Sequence, residues 1–286
     1  MEVNGPALWD AQFPWPAEDA HKHSRGRLGV VSGPAHRTGA ARLAARAGLR
    51  VGAGLVRVLC PPSATGVLAA SLEAVMVDPF DGPSALRRLA EPLDAAVIGP
   101  ATGVDEGTVE ALDVLAESGA ALVVDADALT VFEGRSETLF AHLDRDDVLT
   151  PHEGEFERVF PGLLAEGRGT AAAAAARRAN AIVLLKGRET LIAAPDGRLA
   201  INPPAPAWLA TAGSGDVLAG LIGGLLAQRM PSFEAACCAA WMHARAAALH
   251  GPGLIAEDLP ELIPEVLGDL YGIRPDRPSS ASSRPL

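Results

Sequence analysis

The run Leu209-Ala210-Thr211-Ala212-Gly213-Ser214-Gly215-Asp216 leads straight into an apolar stretch, so two glycines and a carboxylate stand where a helix begins. The free N–H groups of such a start bind anions. Gly213 and Gly215 let the backbone reach positive φ and approach a ligand closely, and Asp216 sits among those donors. The combination predicts phosphate chemistry, with Asp216 as the acidic group beside it. A plainer reading makes Asp216 a first-turn carboxylate favoured by the helix dipole, although Gly-Ser-Gly is more than capping needs. A carboxylate in this position is expected to be a weak base, because dipole and donors favour its charged form.

Other segments carry weaker signals. Lys186-Gly187-Arg188-Glu189-Thr190 offers a cation, a flexible glycine and a hydroxyl to a nucleotide phosphate, and reads equally well as a hairpin corner with solvated charges. Pro151-His152-Glu153-Gly154-Glu155-Phe156 gathers an imidazole and two carboxylates at a helix start, where His152 alone reads as structural. Asp125-Ala126-Asp127-Ala128 pairs two acids that suit Mg²⁺ through water or a helix cap, capping being the safer reading of Asp127. Small residues in Thr38-Gly39-Ala40-Ala41 and Gly99-Pro100-Ala101-Thr102-Gly103 leave room for a flat ring, or for tight packing and a simple turn.

Positioning these residues requires alternating strands and helices. Val217, Leu218, Leu221, Ile222, Leu225 and Leu226 recur at helical spacing, and Gly220, Gly223 and Gly224 within them argue for close packing on a sheet, since each costs about 1 kcal/mol relative to Ala. Apolar runs at 28–32, 55–59, 74–77, 95–98, 121–124, 148–150 and 182–185 read as buried strands. Helical stretches at 39–50, 84–90, 106–118, 170–179, 215–228 and 233–249 alternate with them. This order predicts an α/β fold whose mostly parallel central sheet is covered by helices on both faces. Segments 190–194 and 199–201, joined across Pro195-Asp196-Gly197-Arg198, read as a β-hairpin at one side. Ligands of such sheets bind beyond the carboxyl ends of the strands, where several of the segments singled out above lie.

Residues 1–26 read as an irregular arm with Trp9, Phe13 and Trp15 as anchors, 27–272 as the body, and 273–286 as a disordered tail. With 286 residues, nearly half of them apolar, one large core is the simplest arrangement. A net charge of −11 argues against nucleic-acid and anionic-membrane surfaces, so an anionic ligand must be captured locally. Cys60, Cys237 and Cys238 do not make a disulfide framework, and neither a leader pattern nor a spanning apolar run occurs, which predicts the cytoplasm. His21 and His23 lack partners at zinc-ligand spacing, and the sequence holds no GxxxxGK[ST], GxGxxG or GxSxG motif.

Taken in order, His21-Lys22, Thr38–Ala41, Gly52-Ala53-Gly54-Leu55-Val56, Asp125–Leu129, Leu149–Phe156, Leu185-Lys186-Gly187 and Gly213–Asp216 resemble the ADP-dependent NAD(P)H-hydrate dehydratases over about residues 21–268. The resemblance implies a ribokinase-like three-layer fold. It implies ADP as co-substrate near Lys186, Gly187, Arg188, Glu189, Thr190, Gly213 and Gly215, with Mg²⁺ at the diphosphate and no dedicated protein metal ligand. The hydrated nicotinamide of NADH or NADPH would lie near Ala40, Gly103, His152 and Asp216, with Asp216 catalytic. Phosphoryl transfer to the 6-hydroxyl of the (6S) hydrate and loss of phosphate would restore the cofactor and leave AMP. A homo-oligomer, a tetramer in relatives, is also implied. Alternatives are a ribokinase-like kinase of a hydroxymethyl-pyrimidine, thiazole or pyridoxal, or a non-catalytic nucleotide-binding protein. The chain departs from the family at Pro206-Ala207-Trp208, at Ala101 in a Gly-Pro-Gly segment, and at Thr130 where Asn is usual. Its short arm leads us to expect the dehydratase half without an epimerase domain.

Overall fold

Strands β1 (Glu2–Val3), β2 (Arg27–Val31), β3 (Leu55–Cys60), β4 (Met76–Pro79), β5 (Ala95–Ile98), β6 (Ala121–Val124), β7 (Val148–Leu149), β8 (Ile182–Leu185), β9 (Thr190–Ala193) and β10 (Leu199–Asn202) form one sheet. The structure is a computed structural model that describes residues 1–272; the tail expected over 273–286 lies outside the described residues. The order is β1-β10-β9-β8-β7-β6-β5-β2-β3-β4. Strands β2 to β8 run parallel, while β9 is antiparallel to both of its neighbours. The chain winds outward from β2 to β4 and then returns to place β5 on the other side of β2. That reversal sets the carboxyl ends of β2 and β5 side by side, the place where ligand crevices form in such sheets.

The helices are α1 (Gly39–Arg50), α2 (Thr65–Ser71), α3 (Pro83–Ala90), α4 (Glu106–Glu117), α5 (Asp127–Thr130), α6 (Ser136–Phe140), α7 (Glu153–Val159), α8 (Arg168–Ala179), α9 (Ser214–Ala227), α10 (Ser232–His250) and α11 (Asp258–Gly272). Side chains alternate across the strands, so the sheet feeds two cores. Val30, Val58, Val97 and Leu184 pack with α1, α9, α10 and α11, whereas Ile98, Leu122, Leu149 and Leu185 pack with α3 to α8. Helices, sheet and helices make three layers, as the apolar runs imply. No helix among the described residues is long and apolar enough to cross a membrane.

Helix α9 explains its own glycines, with one correction. A Cβ on Gly220 would lie 2.2 Å from the Ala44 carbonyl oxygen, and one on Gly224 would lie 2.7 Å from that of Gly48. Both glycines therefore admit α1 rather than the sheet. Gly223 alone faces strand side chains, Val97 and Leu28.

The expected hairpin is β9–β10, closed by the Ala194 N–H donating to the Arg198 carbonyl at 2.9 Å. The N-terminal arm is more ordered than expected. Its β1 adds a parallel strand beside β10, Trp9 is fully buried, and Asn4 donates to Asn202 Oδ1 at 2.8 Å and to the Cys237 carbonyl at 2.7 Å. The strand expected at 74–77 lies at Met76–Pro79. Helix α11 has no counterpart in the sequence reading, because Pro260 and Pro264 interrupt its pattern. Proline is tolerated in a first turn but removes a hydrogen bond further in.

Candidate active site

Parallel strands bring their following residues to one rim: Ser32-Gly33 after β2, Gly99 after β5, Asp125 after β6, Thr150-Pro151-His152 after β7 and Lys186 after β8. The first turn of α9 lies against that rim. A Cβ on Gly215 would stand 3.7 Å from Lys186 Nζ. Gly213 caps α9 with φ +89°, the left-handed conformation expected of it. Gly215 instead lies inside the helix with ordinary φ, so its bareness gives access and is not needed for the turn. Ser214 N donates to the Thr211 carbonyl and Val217 N to that of Gly213, leaving the Gly215 and Asp216 N–H groups as first-turn donors for a ligand.

Lys186 is the hub of the charged groups. Its Nζ lies 2.7 Å from Asp125 Oδ1 and 3.7 Å from Glu155 Oε2. Burial pulls the ammonium down, but Asp125, Glu155 and Asp216 outweigh it and hold the pKa above the usual lysine range. Asp216 behaves contrary to expectation. Burial, followed by repulsion from Asp125 and Asp127, pushes its carboxyl up to about 6, against the opposing pull of Lys186. Burial first, and the acids around it second, make Asp216 a better base than a helix-start carboxylate in water.

Glu155 connects His152 to this hub. The Gly154 and Glu155 N–H groups donate to His152 Nδ1 at 3.0 and 3.2 Å, and Glu155 Oε2 accepts the His152 backbone N–H at 2.9 Å. This reciprocal box caps α7, with histidine in the place usually taken by serine or threonine. Asp127 is not the cap expected. It is the first residue of α5, behind Ala126 at φ +49°, and it accepts the Gly103 N–H at 2.9 Å. Arg37, just before α1, approaches the same carboxylate at 4.0 Å. Gly33 lies against the loop on the other side, where a Cβ would meet the Ala101 carbonyl at 1.9 Å. Asp127 thus links Gly103 to the charged cluster of Lys186, Asp125 and Asp216, while among the described residues no side-chain contact ties Ala40 to that cluster.

A cavity of about 150 Å³ opens beside Lys186 and is lined by Gly187, Thr190, Gly215, Leu218, Asn202 and His243, among others. Four of the residues assigned to nucleotide binding, Lys186, Gly187, Thr190 and Gly215, line it together. Arg188 and Glu189 do not: both are exposed, and their carbonyls accept from Ala205 and Arg168. Gly213 lies behind the wall, against Leu43 and Ala256. Asn202 and His243 went unmarked in the sequence, since they reach the cavity only through the packing of β10 and α10. A larger hollow of about 310 Å³ lies at the amino ends of the strands, away from the crevice. Its buried Asp147 already accepts N–H groups from Leu122 and Asp144.

A mostly parallel, doubly wound sheet with helices on both faces and the start of α9 against its carboxyl rim defines an α/β protein of the ribokinase-like fold. A ribokinase-like superfamily protein of Enterococcus faecalis superposes with a TM-score of 0.84 at 23% identity, covering 94% of this chain and 96% of that one. The family described as NAD(P)H-hydrate dehydratase matches residues 28–264, and the chain belongs to it. An ADP-dependent (S)-NAD(P)H-hydrate dehydratase of Neisseria meningitidis is 39% identical over 239 residues, 81% of this chain and 79% of that protein. A bifunctional NAD(P)H-hydrate repair enzyme of Gloeobacter violaceus is 41% identical over 79% of this chain and 46% of its own length. The chain therefore spans about half the length of the bifunctional relatives it matches. An ADP/ATP-dependent NAD(P)H-hydrate dehydratase of Bacillus subtilis, co-crystallized with ATP/Mg²⁺, superposes with a TM-score of 0.81 at 25% identity, covering 94% of this chain and 99% of that chain.

Proposed function

We propose that this chain dehydrates the (6S) hydrate of NADH or NADPH at the expense of ADP, releasing AMP and phosphate. The observation that carries the reading is Asp216, a carboxylate raised to about 6 in the first turn of α9, beside the Lys186–Asp125 pair and the cavity that Lys186, Thr190 and Gly215 line. ADP lies with its phosphates toward Lys186 and the Gly215 and Asp216 N–H groups. The hydrated ring lies toward Ala40, Gly103 and His152. Asp216 orients the 6-hydroxyl and takes its proton as the hydroxyl oxygen bonds to the β-phosphorus of ADP and AMP departs. The ring carbon–oxygen bond then breaks, phosphate leaves, and a proton is lost from the neighbouring ring carbon, restoring the dihydronicotinamide. Positioning contributes more than basicity to such a loose transfer.

Asp125, Asp127 and Asp216 exceed the positive charge that Lys186 supplies, and this surplus suits a divalent cation bound mainly by phosphate oxygens and water. Among the described residues, no group of three His, Cys, Asp or Glu side chains forms a cage for a metal ion. Mg²⁺ fits that donor set: Asp127 and Asp216 would hold it through water, and it would neutralise charge on the transferring phosphoryl group. We further place the protein in the cytoplasm as a homo-oligomer. Three buried unpaired cysteines and the exposed apolar side chains of Trp208 and Ile255 support this, and light scattering would measure the assembly.

Incubating the protein with hydrated NADH, ADP and Mg²⁺ while following reduced-nicotinamide absorbance tests the assignment. Recovery of NADH is expected, and its absence would refute the reading.

A further inference from the structure

His243 lies on α10, is 7% exposed, and forms part of the wall of the cavity that also holds Lys186, Thr190 and Gly215. Its ring hydrogen-bonds the Ser214 backbone at the start of α9, whereas Nε2 has no hydrogen-bond partner. Nδ1 is therefore the nitrogen that meets Ser214. Burial holds the imidazole down at about 4, with Lys186 adding to the effect, so the ring is neutral near pH 7. A neutral imidazole with its proton on Nδ1 offers Nε2 only as an acceptor.

Three side-chain donors at the cavity already have acceptors. Lys186 Nζ is held by Asp125, Ser214 Oγ donates to the Leu209 carbonyl, and Asn202 Nδ2 donates to that of Ala240. A buried acceptor without a partner is a standing penalty that an incoming donor relieves. Ionised phosphate oxygens have no hydrogen to give. A nucleoside has two kinds of donor: the ribose hydroxyls and the adenine amino group.

We propose that His243 is a nucleotide-binding residue whose Nε2 accepts a hydrogen bond from the nucleoside part of the bound nucleotide. This rests on the reading of the cavity as the ADP site. His243 thereby ties the first turn of α9, through Ser214, to the nucleoside, and a nucleotide lacking the matching donor leaves Nε2 unpaired and binds more weakly.

Titration calorimetry on the full chain tests this with ADP, 2′-deoxy-ADP, 3′-deoxy-ADP and inosine diphosphate, which replaces the adenine amino group with a carbonyl. The wild type should bind one of the three analogues at least about tenfold more weakly than ADP. A weak deoxy analogue assigns the partner to that ribose hydroxyl; weak inosine diphosphate assigns it to the amino group. His243→Phe should weaken ADP about tenfold and erase the discrimination, with an unchanged circular dichroism spectrum. His243→Gln, which keeps an acceptor, should restore part of both. If His243→Phe does not fold, the wild-type series and His243→Gln decide. ADP binding with all three analogues within about twofold, or discrimination that survives loss of the imidazole, would overturn the role of His243 alone. Failure of the wild type to bind ADP would overturn the ADP reading and this inference with it.

Discussion

Lys186 Nζ and Asp125 Oδ1 meet at 2.7 Å across the carboxyl ends of β8 and β6, spanning the end of β7 between them. Asp125 is almost fully buried, so the pair sets a fixed field at the floor of the crevice. Asp216 feels both members: Asp125 raises its pKa and Lys186 lowers it. The balance leaves the carboxyl with a pKa of about 6 in place of the usual 3.8.

Asp216→Asn should leave ADP affinity nearly unchanged and lower kcat by about 10²- to 10⁴-fold, the range of a lost acid–base group. Wild-type kcat/KM should fall as pH drops below about 6, where Asp216 becomes protonated. Unchanged turnover in the variant would remove Asp216 from catalysis.

The same substitution should stabilise the fold at pH 8. The folded-state pKa of Asp216 is raised from 3.8 to about 6, so its contribution to stability is fully present below 3.8 and is lost as pH rises through about 6. Asparagine carries no such dependence. The gain has a ceiling of about 3 kcal/mol at pH 8 and vanishes below pH 4. Urea denaturation at both pH values reads the difference.

Lys186→Ala should weaken ADP binding and destabilise the fold by about 3 kcal/mol, because Asp125 is left charged and buried without its partner. Adding Asp125→Asn should recover part of the stability but not the affinity. Recovery of ADP binding in the double variant would make the lysine a structural counter-ion only.

His152→Ala removes the cap of α7 and should cost about 1 kcal/mol. As a substrate contact, His152 would also raise KM for the hydrate while sparing KM for ADP. Equal changes in both constants, or none, would leave only the capping role.

Two backbone substitutions should act in opposite directions. Gly220→Ala drives a methyl into the Ala44 carbonyl and should destabilise by about 3 kcal/mol, since neither backbone can yield easily. Ala101 holds φ +57°, so Ala101→Gly should relieve strain for a net gain of about 0.5 kcal/mol after the added unfolded-chain entropy. Thermal unfolding of the two variants checks the signs.

The layers of the fold were legible because buried parallel strands are continuous apolar runs and β9–β10 carries its own turn signal. The start of α9 was legible for the same local reason: Gly213, Ser214, Gly215 and Asp216 are neighbours in sequence. The pKa of Asp216 was not, since the carboxylates that raise it belong to β6 and α5. Nor was the capping box on α7, because histidine is not a residue the capping pattern looks for. His243 has no local signal. It reaches the cavity only because α10 packs beside α9. The glycines of α9 reported close packing correctly but not the identity of the partner, which for Gly220 and Gly224 is α1.

Product accounting in a single reaction tests the central claim most directly. With hydrated NADH and ADP, phosphorus NMR and chromatography should find NADH, AMP and inorganic phosphate in equal amounts, and Asp216→Asn should produce none of the three above background. Stable phosphorylation of a small alcohol without release of phosphate, with the hydrate left unchanged, would contradict the account and make the protein a kinase.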